Sequence, residues 1–232
     1  MLVEAIDVVM TNIVMLVKDR PKLTRQALDS IFNHTVPGQY TLTIIDDASA
    51  DKTATLIKGY NALVVRSSRS VGILGFLRNT GVAMSEKVFG RGDWLCFLDN
   101  DVAVFEGWLA NMIEIASCPG AHLLGGQRHP YHKPNQRLVY GTGRCVEEVD
   151  AVAGYSMFMS WDTWDRFGPF DANARGIGQS EDWAFSQRVK KGGGIVGYIH
   201  PPVLSHTGLT NTDSKPATGH EAFERFPGLI YE

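Results

Sequence analysis

Cysteine is scarce in this chain. Cys96, Cys118 and Cys145 are three among 232 residues, an odd number with no C-x-x-C pair. A disulfide framework is therefore excluded as the basis of the fold, and a reducing compartment suits the chain better. Cys96 stands in an apolar run and is expected in the core. Long uninterrupted hydrophobic segments are lacking too. Glu4, Asp7 and Asn12 break the apolar stretch from Met1 to Val17, and neither a basic leader nor a small-residue cleavage site accompanies it. No signal peptide and no membrane span are expected, and a cytoplasmic location follows. There is no excess of one charge: 22 Lys and Arg against 25 Asp and Glu leave a net charge of -3, which argues against a surface that grips nucleic acid as a whole. One local absence runs the other way. Residues 122 to 146 contain no acidic residue but hold Arg128, Lys133, Arg137 and Arg144.

What is present is ordinary globular stock, 44% hydrophobic and 20% charged, in a length that suits one domain with a continuous core. No internal repeat is found. Short β-branched runs alternate with helical patterns through the first half, which predicts strands joined by crossover helices: a single α/β domain of Rossmann-like type with a mostly parallel central sheet flanked by helices. Strands are expected at Asn12 to Val17, Tyr40 to Ile45, Ala62 to Arg66 and Trp94 to Leu98. Helices are expected at Pro21 to Phe32, Thr53 to Tyr60 and through Asn79 to Ser85. Pro21 is tolerated in a first turn after the corner made by Asp19 and Arg20. The second half offers an apolar stretch from Val152 to Met159, a helix from Glu181 to Lys191 and a strand from Ile195 to Ile199. Residues about 10 to 102 form one half and about 103 to 208 the other. Thr207 to Gly219, rich in Thr, Ser, Gly and Pro, opens a lid or tail that runs over 209 to 232.

Acidic residues recur where these elements meet. Asp46 and Asp47 follow the strand TLTII; Asp99, Asn100 and Asp101 follow WLCFL; Glu181 and Asp182 open a helix; His206 comes shortly after the last strand. Singly, each has a plain structural explanation. An Asp pair after a strand caps a turn, acids at a helix start complement its dipole, and a lone histidine packs. Together, at the edge where open α/β sheets bind ligands, they suit a site for a diphosphate leaving group. Carboxylates one residue apart can face a hard divalent cation, imidazole is a plausible third ligand for an Mn²⁺-like ion, and a separate carboxylate can take a proton from a hydroxyl.

With these residues in hand, the chain resembles the family-2-type glycosyltransferases of the GT-A fold. The resemblance runs from about Asn12 to Gly208. It rests on NIVMLVKDR, IIDDASADKT, VGILGFLRNTGV, FLDNDV, the stretch from Val152 to Gly193 that includes QSEDWAFSQRVKKGG, and HTG at His206 to Gly208. It implies an inverting, metal-dependent transferase that uses Mn²⁺ or Mg²⁺ and a nucleoside-diphosphate sugar, with UDP as the expected nucleotide. Carried over residue by residue, it implies that Asp47, with Asp46 beside it, contacts the donor base. Arg78 and Asn79 fall at donor contacts. Asp99 and Asp101 form the metal and diphosphate motif, Asp99 on the ribose or the ion's waters and Asp101 on the ion. His206 is a further metal ligand, Asp182 is the catalytic base, and Glu181 orients a sugar. Leu16, Val17 and Lys18 depart from the small hydroxyl residue and aromatic that many members carry there, and residues 173 to 180 depart around the sugar pocket.

The acid-free segment from Gln127 to Cys145, with His129 and His132, is expected on the acceptor side. There it would suit an anionic acceptor such as a polysaccharide, a phospholipid-linked glycan or a hydroxylated base in DNA. The plain alternative is a solvated loop. Two rival functions compete with sugar transfer. FLDNDVAV is similar to the D-x-D-x-[TV] motif of haloacid-dehalogenase-type phosphohydrolases, but position 103 is Ala and the motif stands mid-chain. The other rival is a non-catalytic nucleotide-sugar or glycan-binding module.

Overall fold

The computed structural model describes residues 9–50, 52–130, 132–140, 144–173 and 180–207. A nine-stranded sheet forms its centre, in the order β3-β2-β1-β4-β9-β6-β10-β8-β7. These strands are β1 (Thr11–Val17), β2 (Tyr40–Asp46), β3 (Leu63–Arg66), β4 (Trp94–Asp99), β6 (Ala121–Gly125), β7 (Gln136–Tyr140), β8 (Arg144–Glu148), β9 (Ser156–Ser160) and β10 (Ile195–His200). From β3 to β4 every pairing is parallel. Beyond β4 the sheet is mixed, with β10 parallel to β6 and the remaining pairs antiparallel.

Strand alternation sets two buried faces. Ile13, Met15 and Val17 of β1 and Cys96 and Leu98 of β4 point to one cluster, while Val14, Leu16, Leu95 and Phe97 point to the other. Strands apolar on both sides belong to a sheet covered twice. Helices α1 (Pro21–His34) and α4 (Trp108–Ala116) cover the first face. The second is covered by α3 (Leu74–Phe89), α5 (Trp161–Phe167) and α6 (Glu181–Lys191). In α3, Gly81 lies against Val14 and Ile45, an approach with no room for a Cβ. Cys96 is fully buried in the first cluster, and burial pushes its thiol pKa up, as suits an inert core residue.

Several elements differ from the sequence expectation. The helix expected over Thr53 to Tyr60 is a single turn, α2 (Thr53–Leu56), followed by a 3₁₀ turn at Ile57–Gly59. The Gly-, Pro- and Arg-rich segment after residue 122 is not merely a loop. It contributes the sheet-edge hairpin β7–β8, in which Arg137 stands opposite Glu147. Two three-residue strands, β5 (Val102–Val104) and β11 (Leu204–His206), pair antiparallel in a small separate sheet. This pair gave no periodic signal, being shorter than any window over which alternation can be read. Most of the proposed lid, from 208 onward, and the family-like segment 174–179 lie outside the described residues. Among the described residues no helix is long and apolar enough to cross a membrane.

Candidate active site

The carboxyl end of β4 supplies Asp99, Asn100 and Asp101. Asn100 is buried and fixes the turn by donating from Nδ2 to the Asp19 carbonyl at 3.0 Å and to Thr24 Oγ1 at 2.7 Å. Asp101 is thereby turned toward β11. The pairing of β11 with β5 sets His206 opposite Val102, and His206 Nε2 then lies 3.0 Å from Asp101 Oδ1. Arg20 Nη1 donates to the other oxygen, Asp101 Oδ2, at 2.8 Å. Burial alone would raise the Asp101 pKa, but His206 and Arg20 outweigh it and hold this carboxyl below its ordinary value.

The His206 ring is held on several sides. It stacks on Tyr155, with ring centroids 4.1 Å apart and planes inclined by 11°. Its backbone N–H donates to Gln127 Oε1 at 2.8 Å, and the Tyr155 hydroxyl donates to the Gln127 carbonyl at 2.6 Å. Tyr155 and Gln127 were not singled out from the sequence. Tyr155 sits inside a quoted family-like stretch, but Gln127 carries no sequence signal.

Asp99 does not join this pair. Its Oδ1 is 3.4 Å from Arg78 Nη2, and among the described residues no group of three His, Cys, Asp or Glu side chains converges as a ready metal cage. Of the expected set Asp99, Asp101 and His206, the structure brings Asp101 and His206 together and holds Asp99 apart. The physical reason is the buried Arg78, whose guanidinium draws Asp99 to itself. Burial pushes the Asp99 carboxyl up to about 6, against the opposing pull of Arg78 and with the like charge of Asp101 adding to the rise.

Arg78 is 1% exposed and reaches three groups: the Glu181 carboxylate, Asp99, and the Gly154 carbonyl at 3.0 Å from Nη2. Glu181, expected to orient a sugar, is itself 3% exposed, and its carboxylate turns inward to Arg78. Burial pushes its pKa up. Asp182, the next residue, is half-buried and accepts the Gly154 N–H on Oδ2 at 2.8 Å. Gly154 thus gives its carbonyl to Arg78 and its N–H to Asp182, while the adjacent Tyr155 supports His206. A Cβ at position 154 would press on the Arg78 guanidinium, at 2.6 Å from Nη2.

The remaining expected donor contacts are taken up internally. Asp46, expected beside the donor base, is fully buried and bound to the Ser49 N–H and hydroxyl and to Arg66, as a turn cap is. Asp47 accepts from the Ser70 hydroxyl and the Val71 N–H, each at 2.6 Å, and from the Gly72 N–H at 3.2 Å, which shapes the loop entering α3. Asn79 is likewise bound within the fold. Its amide donates to the Phe170 carbonyl at 2.9 Å and accepts the Phe170 N–H at 3.0 Å, a clip that leaves little for a ligand.

The segment expected to be basic is less so in place. Arg128 and Arg137 both bind Glu147, at 2.8 and 2.7 Å. Burial and its histidine neighbours bring the His129 pKa down to about 4, and burial also lowers that of His132, whose Nδ1 lies 2.8 Å from the Tyr198 hydroxyl. Neither imidazole adds positive charge at neutral pH.

The doubly covered α/β sheet is that of the GT-A fold, shared with solved glycosyltransferases. The chain belongs to glycosyl transferase family 2, whose model matches residues 12–171. Its fold is similar to that of TarS (residues 1-349) from S. aureus, with TM-score 0.63 and 15% identity over 84% of this chain and 59% of that one. GalNAc-T7, solved with UDP, GalNAc and Mn²⁺, matches at TM-score 0.68 and 17% identity over 87% of this chain and 44% of that one. The mannosyltransferase PcManGT from Pyrobaculum calidifontis, solved with GDP-Man and Mn²⁺, matches at TM-score 0.59 and 16% identity over 83% and 54%. This chain therefore spans about half the length of those proteins.

Proposed function

We propose that the protein transfers a sugar from a nucleoside-diphosphate sugar, with UDP as the nucleotide, to an acceptor hydroxyl with inversion at the anomeric carbon. The observation that carries this reading is the step Gly154–Tyr155, which holds Asp182 through its N–H and His206 through an aromatic ring, so that adjacent residues support both the Asp101–His206 pair and a separate carboxylate. Asp182 takes the proton of the acceptor hydroxyl. The acceptor oxygen forms a bond to the anomeric carbon as the bond from that carbon to the diphosphate breaks. Asp182 sits at the start of α6, whose acidic first turn and basic last turn complement the helix dipole.

The residues fit a divalent ion. Asp101 and His206 offer an oxygen and an imidazole nitrogen within 3.0 Å of each other, a donor set for an Mn²⁺-like ion, and His206 Nδ1 is buried with no hydrogen-bond partner, so stacking and Asp101 rather than a second bond fix the ring. Such an ion, when bound, neutralises charge on the departing diphosphate. UDP, UDP-GlcNAc and GDP-Man in solved neighbours support a nucleotide-sugar donor for this chain. Asp47 borders the donor base through the loop it shapes, and Asp99 faces the ribose and the diphosphate end. The acceptor lies on the side of His129 and His132. A screen of UDP- and GDP-sugars for Mn²⁺-stimulated release of the nucleotide tests the reading. Release that is lost in Asp101→Asn supports it, and no release or binding of any nucleotide sugar rules it out.

A further inference from the structure

The corner between β1 and α1 is built at some conformational expense. Asp19 (φ 53°) and Arg20 (φ 62°) are consecutive non-glycine residues in the left-handed region, which side-chain-bearing residues seldom occupy. The surroundings hold them there. The Asp19 N–H donates to Ser49 Oγ at 2.8 Å, Asp19 Oδ1 accepts the Ala50 N–H at 2.7 Å, and the Arg20 carbonyl accepts from the Thr24 N–H at 2.9 Å and hydroxyl at 3.0 Å. Strain fixed by so many contacts points to a purpose for the side chain it aims. That side chain is Arg20, whose guanidinium ends on Asp101 Oδ2 while 56% of the side chain stays exposed.

Arg20 holds Asp101 Oδ2, whereas an ion between Asp101 and His206 would use Oδ1, and two cations on one carboxylate repel. An arriving ion would loosen the hold of the guanidinium on Oδ2. The side chain starts at the N-terminus of α1, whose first turn carries no acidic residue and no side-chain cap, so the ground around it favours an anion. A freed guanidinium beside an ion at Asp101 meets the ion's other ligands, which in the function proposed above are diphosphate oxygens, and its planar fork suits them better than an ammonium would.

We propose that Arg20 is a diphosphate-binding residue that occupies Asp101 as a place-holding cation until ion and nucleotide arrive, so that the two bind cooperatively. This rests on Asp101 and His206 being the ion site. The test is equilibrium binding of Mn²⁺ alone, followed by electron paramagnetic resonance, and of UDP, GDP and uridine with saturating Mn²⁺, followed by calorimetry. Wild type and Arg20→Gln are compared, with Arg20→Lys in reserve should the first variant not fold. The variant is expected to bind Mn²⁺ alone about three- to tenfold more tightly and UDP about tenfold more weakly, with uridine affinity unchanged. Unchanged UDP affinity, or Mn²⁺ binding no tighter than wild type, overturns the role of Arg20 alone. A wild-type protein that binds neither UDP nor GDP with Mn²⁺ overturns the nucleotide-sugar reading, and this inference with it.

Discussion

His206 Nε2 stands 3.0 Å from Asp101 Oδ1 because two three-residue strands, β5 and β11, pair in the register that sets His206 against Val102. The Thr207 N–H closes the same corner on the Asp101 carbonyl at 3.0 Å. The pair is further steadied by the Tyr155 ring and by Gln127, contacts that orient an imidazole as outer-shell groups do around metal ligands. Replacing His206 by Ala is expected to abolish Mn²⁺-dependent nucleotide release. Replacing Tyr155 by Leu removes the stack while keeping Asp101 and His206, and should weaken Mn²⁺ affinity by about tenfold. Titration of Mn²⁺ into each variant measures both, and a Tyr155→Leu protein with wild-type affinity would show that the ring has no orienting role.

Asp182→Asn keeps an oxygen able to accept the Gly154 N–H, so the helix start should be preserved. Only the capacity to take a proton is lost. Transfer is expected to fall by about a hundred to ten thousandfold, with UDP affinity unchanged. Transfer at the wild-type rate would remove the base assignment.

Arg78 and Glu181 form an ion pair that is almost fully buried, 1% and 4% exposed at their side chains. Arg78→Met strands the Glu181 carboxylate and should cost about 3–5 kcal/mol of stability, because an unpaired buried charge is far worse than none. The double variant Arg78→Met, Glu181→Met is expected to recover a large part of that loss. Urea unfolding of wild type, Arg78→Met, Glu181→Met and the double variant checks it, and simple additivity of the two single losses would show that the pair is not coupled.

The Asp99 carboxyl, pushed up to about 6 by burial, holds its proton more tightly in the folded protein than in the unfolded chain, whose value is 3.8. Protonated Asp99 therefore favours folding, and that contribution is lost as pH rises from about 4 through 6. Asp99→Asn cannot titrate. The stability of wild type relative to this variant should fall across that window and then level, and thermal melts from pH 4 to 7 read the slope directly. A difference that grows with pH would contradict the raised carboxyl of Asp99.

Glu147 has the opposite sign. Burial would raise its pKa, but the hydrogen bonds from Arg137 and Arg128 hold it below its usual value. Its stabilising contribution is present above the ordinary carboxylate value of 4.5 and disappears as pH falls through the lower, folded one. Glu147→Gln should thus be less stable than wild type at pH 7 and converge with it in acid, again by melting. Equal stability at neutral pH would mean that the two arginines are not held there in solution.

Much of the framework was legible because it rests on local pattern. The runs that became β1, β2 and β4 carry apolar residues on both faces, as strands of a doubly covered sheet do, and the helix read over Glu181 to Lys191 has those limits in the structure. The hairpin β7–β8 escaped notice because its alternation is brief and broken by glycine, and the pairing of β5 with β11 because three residues make no period.

The positions of the first strands and helices along the chain, and of the carboxylates that follow them, were determined by the sequence itself, since burial of a strand or a helix stripe is written in the spacing of its side chains. Which carboxylate faces a ligand was decided only by tertiary structure. Asp46 and Glu181 turn inward to Arg66 and Arg78, while Asp101 meets His206 and Asp182 meets Gly154. Neighbouring acids are alike in sequence, and a buried charge must find its counter-ion. Sheet order and strand register alone determine which arginine, histidine or backbone N–H stands within reach.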